Sequence, residues 1–367
     1  LSRTMLEITE SAREILIEHR LPTPILVESW KASHMKTSPL GSSDLHVTPV
    51  TLGTMTFGKE ADENTSRALL DQYVEAGGNL IDTADVYSTG LSEEIIGRWL
   101  HDSGKRDSVL IATKARFAVE KGGPRGLHPD YLRGAIEANL RRLGIDTIDL
   151  FQPHTFDPLV PIAEWLGLIN EFIDEGKIRF LGVSNFLSYQ LQETLDIAKY
   201  EHLPTVVSLQ PQYNLLDRHI DYEVMAVCRN NNIPLLPWSP LGGGWLSGKY
   251  DRDSLPTGST RLGEDPTRGV EAYDKRNTER TFQILDVVKD IANDTGSSMA
   301  RVSLAWLIQH PQVGSVILGA RNTDQLDDNL SAVDLTLTDE QWQRLDEVSA
   351  PPLPDYPYGF MDTMKGR

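Results

Sequence analysis

The chain has 367 residues, of which 40% are hydrophobic and 24% charged, and its formal net charge at pH 7 is −18. This length suffices for one α/β barrel of roughly 250 residues with insertions, and so acidic a chain argues against nucleic acid or an anionic membrane as partner. One cysteine, Cys228, rules out an intramolecular disulfide and fits a reducing, cytoplasmic location. Membrane spans need roughly 18 consecutive apolar residues, and the sequence contains no such run.

The first 34 residues differ in character from the rest. Met5 to Arg20 has the pattern of a short amphipathic helix, which Leu21-Pro-Thr-Pro24 interrupts. Ser33-His34-Met35 resembles a cloning junction. We therefore predict that residues 1–34 are a vector-derived or mis-assigned extension, with a genuine accessory segment as the alternative. Residues 35–367 are predicted to form a single domain.

From Met35 onward, predicted strands and helices alternate. A hairpin is predicted around Gly41-Ser-Ser-Asp44, and short apolar runs typical of covered parallel strands follow it. The eight predicted strands are Val50–Gly53, Asn79–Asp82, Val109–Thr113, Leu150–His154, Phe180–Val183, Val206–Leu209, Leu235–Trp238 and Ser315–Leu318. Helices are predicted at Thr65–Ala76, Pro129–Leu143, Pro161–Glu175, Gln190–Lys199, Tyr222–Asn230, Glu279–Asp294, Met299–Gln309, Asp324–Ala332 and Thr338–Val348.

This alternation predicts an α/β fold, a closed (β/α)8 TIM barrel. A doubly wound sheet is the alternative, but an early Gly-x-Gly-x-x-Gly turn is expected in such a fold and the sequence lacks one. Gly242 to Asn277 interrupts the repeat and is predicted to be a long functional loop after strand 7. The aromatic, proline-rich tail from Pro351 to Phe360 is predicted either to cross the barrel mouth or to pack on one side.

Four polar side chains stand at or just after predicted strand ends: Asp82, Tyr87, Lys114 and His154. Each alone fits an ordinary structural role, but the carboxyl ends of barrel strands converge on one pocket. A tyrosine whose pKa is lowered by a neighbouring lysine can give a proton to a carbonyl oxygen. An aspartate can hold that lysine, and a histidine can orient the oxygen. No side chain carries a hydride, so a nicotinamide or flavin would have to supply it.

These residues lie in a set of ordered motifs that runs from about Met35 to Phe360. The motifs are Leu52-Gly-Thr-Met-Thr-Phe-Gly58, Ile81-Asp-Thr-Ala-Asp-Val-Tyr87, Ile111-Ala-Thr-Lys114, Asp149-Leu-Phe-Gln-Pro-His154, Gly182-Val-Ser-Asn-Phe186, Gln210-Pro-Gln-Tyr-Asn214, Pro237-Trp-Ser-Pro-Leu-Gly242 and Leu318-Gly-Ala-Arg-Asn-Thr-Asp-Gln-Leu-Asp-Asp-Asn329. In them the chain resembles the aldo-keto reductase superfamily. The resemblance implies a barrel that reduces small-molecule carbonyls with NADPH, or with NADH, without metal or flavin.

The resemblance also implies roles for individual residues. Tyr87 is the expected general acid, assisted by Lys114 and Asp82, and His154 is expected to orient the carbonyl. The expected cofactor contacts are Gly53, Thr54, Met55, Asp82, Ser184, Asn185, Gln210, Trp238, Ser239, Pro240, Leu241, Gly243, Lys249, Arg261, Gly319, Arg321, Gln325, Asp328 and Asn329. Arg321 is expected to meet the 2′-phosphate of NADPH, because Gly319 stands where some members carry a lysine. Phe57, Phe117 and Phe156 are predicted to line the substrate pocket.

Two other functions remain open at this point. Some members of the superfamily bind NADPH as regulatory subunits of membrane channels, which makes a cofactor-binding subunit with little turnover the main alternative. A metal-dependent barrel hydrolase would want clustered histidines at strand ends, which the predicted strands lack, so no metal site is predicted.

Overall fold

The computed structural model describes residues 35–258 and 260–364, and the extension predicted at residues 1–34 lies outside them. The centre of the fold is a curled parallel sheet of seven strands, in the order β8-β7-β6-β5-β4-β3-β9. The strands are β3 Val50–Gly53, β4 Leu80–Asp82, β5 Leu110–Ala115, β6 Ile148–Pro153, β7 Ile178–Ser184, β8 Val206–Gln210 and β9 Val316–Leu318. Almost every residue in them is buried, as expected for parallel strands covered on both faces. This α/β architecture is consistent with a TIM-like barrel.

The predicted strand Leu235–Trp238 is not a continuous strand. Leu235 forms single parallel bridges to Leu209 and to Val313, and the Ile317 amide donates to the Pro237 carbonyl at 3.0 Å. The segment therefore bonds to both edges of the sheet, next to β8 and β9. Pro234 and Pro237 explain the missing ladder, because neither has an N–H to donate.

A short antiparallel pair precedes the sheet. Strand β1 (Ser38–Pro39) pairs with β2 (His46–Val47). Leu40 and Leu45, on the turn between these strands, are buried in one apolar cluster with Leu80, Leu150 and other strand residues. The hairpin thus covers the end of the sheet interior that carries the starts of the strands.

Helices cover the outside of the sheet and mostly match the predicted ranges. The longer ones are Glu63–Glu75, Leu91–Ser103, Pro129–Leu143, Ile162–Asp174, Ser188–Tyr200, Val224–Asn230, Glu279–Thr295, Met299–Ile308, Thr323–Leu330 and Asp339–Ser349. The helix Leu91–Ser103 is absent from the sequence prediction, although it buries Ile95, Ile96, Trp99 and Leu100. In the described ranges, no helix combines the length and apolarity needed to cross a bilayer.

The long loop and the tail have defined positions. Within the loop lie two one-turn helices, Arg261–Glu264 and Tyr273–Arg276. The tail contacts the residues just before the helix Val224–Asn230. Tyr358 stacks on Tyr222 with ring centroids 5.1 Å apart, and its hydroxyl donates to Glu223 at 2.7 Å. No tail residue lines the main cleft, so the tail follows the second of its two predicted courses.

Candidate active site

A buried ion pair lies where strands β4 and β5 end. Lys114 Nζ donates to Asp82 Oδ1 at 2.6 Å and to the Thr83 carbonyl at 2.8 Å, and the lysine side chain is fully buried. Burial disfavours the ammonium, but Asp82 and Tyr87 outweigh it and raise the pKa of Lys114 above its usual value. Lys114 is therefore a fixed cation at neutral pH.

Asp82 has two further partners. Gln210 Nε2 donates to Asp82 Oδ2 at 2.8 Å, and Gln152 Nε2 donates to the same oxygen at 3.3 Å. The sequence analysis assigned Gln210 to a cofactor and gave Gln152 no role. Both amides are buried, and together they fix the carboxylate that holds Lys114.

Tyr87 begins a short turn after β4, and its hydroxyl lies 3.4 Å from Lys114 Nζ. The lysine Nζ also stands 5.1 Å from the centroid of the tyrosine ring. The predicted lowering of the pKa of Tyr87 is wrong in direction: burial raises this pKa, while the charge of Lys114 opposes the rise. The negative charge of Asp82 adds to the rise, because it disfavours a phenolate on Tyr87. Tyr87 is consequently a neutral phenol with a proton to give.

His154 follows directly after β6 and faces Tyr87. The two rings meet edge to face with centroids 6.0 Å apart. Burial and the charge of Lys114 hold the pKa of His154 well below its usual value of 6.5, so the ring is neutral at pH 7. Its Nδ1 is buried without a hydrogen-bond partner, which leaves Nε2 to meet a substrate oxygen. Phenol, ammonium, carboxylate and imidazole therefore come together as the sequence predicted.

Asp82, Tyr87 and His154 line one end of a cleft of about 450 Å³, and Lys114 is not among its lining residues. The cleft lies at the carboxyl ends of the strands and extends under the long loop. Every residue predicted to contact a cofactor lines it, from Gly53 to Asn329. The lining residues that the sequence analysis missed are Thr56, Gly244, Ser247, Thr260, Ala300, Ile317, Leu318 and Ala320. Most of these missed residues are next to a predicted cofactor contact in the sequence. Their position beside the motifs could therefore have identified them as lining residues.

Near the catalytic end, the cleft wall is a network of polar groups. Asn185 accepts a hydrogen bond from Trp238 Nε1 at 3.0 Å and donates to the His154 carbonyl at 3.0 Å. Its φ of 57° and that of Ser239, 53°, lie in the left-handed region, which non-glycine residues adopt at a cost. The network holds Trp238 and Asn185 in place next to His154.

Further along the cleft, the chain turns sharply at Gly243 and Gly244, with φ values of 66° and 100°. A Cβ at position 243 would stand 2.8 Å from Glu271 Cβ, so only glycine fits there. Successive backbone N–H groups in such turns can bind phosphate.

Positive charge is concentrated at the far end of the cleft. Burial, and after it the charge of Arg321, lowers the pKa of Lys249, and burial together with Arg268 lowers that of Arg261. Arg261 Nε is buried and has no acceptor among the described residues. In a chain with a net charge of −18, this local cluster of cations fits a polyanionic cofactor such as a dinucleotide.

Arg321 already has a carboxylate partner. Its Nη1 lies 2.8 Å from Glu264 Oε1, on the one-turn helix of the long loop. A second ion pair, of 2.7 Å, joins Arg268 of the same loop to Glu60. The sequence predicted the charge of Arg321 but not these carboxylates, and the two ion pairs tie the long loop to Arg321 and to Glu60.

The predicted substrate pocket needs one correction. Phe57 is fully buried in the turn after β3 and cannot contact a substrate. Phe117 is 36% exposed and packs against the His154 ring at 4.9 Å, while Phe156 is half-buried and packs against Phe186 at 5.3 Å. Met55, 40% exposed, lines the cleft itself.

A second buried charge cluster lies behind Lys114. Glu93 Oε2 accepts from Arg142 Nε at 2.7 Å, and Glu93 Oε1 accepts from Thr113 at 2.6 Å. Asp85 is fully buried, and neither of its carboxylate oxygens has a hydrogen-bond partner. Burial and the charge of Glu93 raise the pKa of Asp85 to about 7. The described ranges contain no group of three or more His, Cys, Asp or Glu side chains able to hold a metal ion.

Comparisons with known proteins agree with this geometry. The sequence model of the Aldo/keto reductase family matches residues 49–350. A probable voltage-gated potassium channel subunit beta of Oryza sativa subsp. japonica is 31% identical over 323 residues, which cover 86% of this chain and 96% of that protein. An uncharacterized oxidoreductase of Bacillus subtilis, YrpG, is 30% identical over 89% of this chain and 99% of its own length. Aldo-keto reductase yakc of Schizosaccharomyces pombe, named with NADP(+), is 30% identical over 78% of this chain and 83% of its own length.

Proposed function

Because the chain belongs to the aldo/keto reductase family, we propose that it reduces aldehydes or ketones to alcohols with NADPH, and that Tyr87 is the general acid. The observation that carries this proposal is the contact of the Tyr87 hydroxyl with Lys114, 3.4 Å away, beside the neutral ring of His154. The proposal includes a closed barrel over residues 35–367. It also includes a cytoplasmic location, which suits the single buried and unpaired Cys228.

The bound nicotinamide would supply a hydride to the carbonyl carbon. The residues of the chain donate the proton to the carbonyl oxygen. His154 donates a hydrogen bond to the carbonyl oxygen and fixes its position. Tyr87 then gives its phenolic proton to that oxygen as negative charge develops there. Lys114, held by Asp82, stabilises the phenolate left on Tyr87 until solvent returns a proton.

The cofactor would lie along the cleft from Trp238 to Arg321. Ser184, Asn185 and Gln210 offer hydrogen bonds at the nicotinamide end. Gly243 and its neighbours offer backbone N–H groups to the phosphates. Lys249, Arg261 and Arg321 supply positive charge at the adenosine end, which supports NADPH and leaves NADH as a weaker ligand.

The experiment that tests this function is the substitution Tyr87→Phe. The rate of NADPH oxidation with aryl aldehydes, aliphatic aldehydes, dicarbonyls and ketones would be measured for both proteins. We expect kcat to fall by roughly a hundredfold or more, because only the transition state needs the proton. NADPH affinity, followed by fluorescence titration, should stay within about twofold. Retention of more than about a tenth of the wild-type kcat would remove Tyr87 from the general-acid role.

A second candidate function is an NADPH-binding regulatory subunit. The observation in its favour is the similarity to proteins named as potassium channel beta subunits. Tight NADPH binding without turnover of any carbonyl in the same panel would favour it over the reductase.

A further inference from the structure

Arg116 lies close to the candidate active site, and its side chain has no hydrogen-bond or ion-pair partner in the described part of the chain. It follows directly after strand β5, two residues beyond Lys114, and its side chain is half-buried. Its Nε is buried and has no acceptor, and no carboxylate in the part of the chain that the structure describes lies within ion-pair distance of it. The backbone of Arg116 is held by the Gly126 amide, which donates to its carbonyl at 2.8 Å.

The neighbours of Arg116 connect it to the catalytic residues. The Arg116 Cζ stands 5.3 Å from the centroid of the Phe117 ring. The Phe117 ring packs against His154 at 4.9 Å, and His154 packs against Tyr87 at 6.0 Å. Successive contacts therefore link the phenol, the imidazole, an exposed apolar ring and the guanidinium. The His154 amide also donates to the Ala115 carbonyl at 3.1 Å, which fixes the two strand ends side by side.

We propose that Arg116 binds an oxyanion of the substrate, so that the preferred substrates are aldehydes or ketones carrying a carboxylate or phosphate group. This inference rests on the proposed reductase function and names its substrate class. A guanidinium held partly out of water gains most from an oxyanion, which its planar fork can meet with two hydrogen bonds. The chain carries a net charge of −18, so an anionic substrate needs such a local cation.

The exposed face of Phe117 limits the shape of the substrate. Because this ring contacts both groups, the guanidinium and the His154 ring lie no more than about 10 Å apart. A substrate that spans this distance has its carbonyl at Tyr87, an apolar middle against Phe117, and its oxyanion at Arg116. One aromatic ring or a short hydrocarbon chain would serve as the middle part.

The test compares three aldehydes of similar shape: 4-carboxybenzaldehyde, 4-formylphenyl phosphate and the neutral methyl 4-formylbenzoate. In Arg116→Gln, we expect kcat/KM for the anionic substrate to fall roughly ten- to a hundredfold, mainly through KM. The neutral ester should change by less than about twofold. Arg116→Lys keeps the charge but loses the planar guanidinium, so its kcat/KM for the anionic substrates should lie between those of wild type and Arg116→Gln. Of the two anions, the one whose kcat/KM falls further identifies the natural group.

Arg125→Gln is the matched control, because Arg125 is an exposed arginine in the same loop and the substitution removes the same charge. Equal losses in the two variants would indicate only long-range electrostatics and overturn the proposal. So would equal losses for the ester and the anions, or no loss at all. Calorimetric titration of 4-(hydroxymethyl)benzoate into wild type and Arg116→Gln gives a readout without turnover. Weaker binding to the variant supports the anion site even if no aldehyde is reduced, an outcome that would count against the reductase function alone.

Discussion

Asp85 is a buried carboxyl group beside the proposed catalytic residues, and the sequence analysis gave it no role of its own. Its backbone N–H donates to the Lys114 carbonyl at 3.0 Å, while its side chain finds no hydrogen-bond donor. The pKa of Asp85 is raised to about 7 by burial and by Glu93, against an ordinary value of 3.8. Between these two pH values, the folded protein holds a proton that the unfolded chain has released. The free energy of unfolding therefore decreases as the pH rises through this window.

The substitution Asp85→Asn should remove that pH dependence, because asparagine does not ionise. Relative to wild type, the variant should become more stable as the pH rises from about 5 to about 8, by on the order of 2–4 kcal/mol. Urea unfolding of both proteins at the two pH values measures this difference. Parallel stability profiles would show that Asp85 is solvated or paired in solution.

At the same residue scale, the sequence predicted which four side chains come together at the strand ends but not their electrostatics. The sequence could predict this group, which consists of Asp82, Tyr87, Lys114 and His154, because the carboxyl ends of strands converge in any barrel. The direction of the Tyr87 pKa shift could not be predicted from the sequence, because it depends on burial and on the opposing charges of Lys114 and Asp82. The roles of Gln152 and Asp85 depend likewise on contacts between distant parts of the chain.

Among the elements, the helix Leu91–Ser103 and the segment Leu235–Trp238 show where sequence patterns fall short. The helix follows directly on a tight turn, with φ values of 48° and 56° at Ser88 and Thr89, and its start has no side-chain cap. Because no capping side chain marks the start of this helix, the local sequence gives no signal that a helix begins there. The segment has the composition of a strand, but Pro237 within it and Pro234 just before it leave only single bridges.

The long loop from Gly242 to Asn277 makes a testable contribution to cofactor choice. Its Glu264 pairs with Arg321, which we propose meets the 2′-phosphate. Arg321→Ala should weaken the binding of NADPH by roughly ten- to a hundredfold. It should weaken the binding of NADH much less, because NADH lacks that phosphate. Glu264→Gln removes a competing carboxylate and should leave NADPH binding equal or a few times tighter, since half-exposed ion pairs contribute little.

Fluorescence titration of both cofactors into wild type and the two variants measures these effects. Arg141→Ala is a suitable control, because Arg141 is an exposed arginine on the helix Pro129–Leu143. Equal weakening of NADPH and NADH by Arg321→Ala would mean that the arginine supports the loop instead.

For the whole molecule, the prediction concerns which part of the chain is needed. The family match begins at residue 49, and all proposed catalytic and cofactor-contacting residues lie at or after Gly53. A chain that starts at Met35 should therefore keep its melting temperature within about 2 °C, which for a chain of this size is a change of roughly 1.5 kcal/mol or less. Its kcat should be unchanged. Thermal unfolding and NADPH oxidation by the two chains provide the measurement, and a large drop in either would show that residues 1–34 belong to the working protein.

The hydrogen bond from Gln210 to Asp82 has a consequence for how activity arises during folding. It joins the ends of β8 and β4, which are separated by three strands in the sheet and by 128 positions in the sequence. Contacts of such long sequence separation form late, because the entropy of closing the intervening chain has to be overcome first. The carboxylate that holds Lys114 is thus fixed only after the sheet has curled. In refolding, recovery of catalysis should lag behind the formation of helical and core structure.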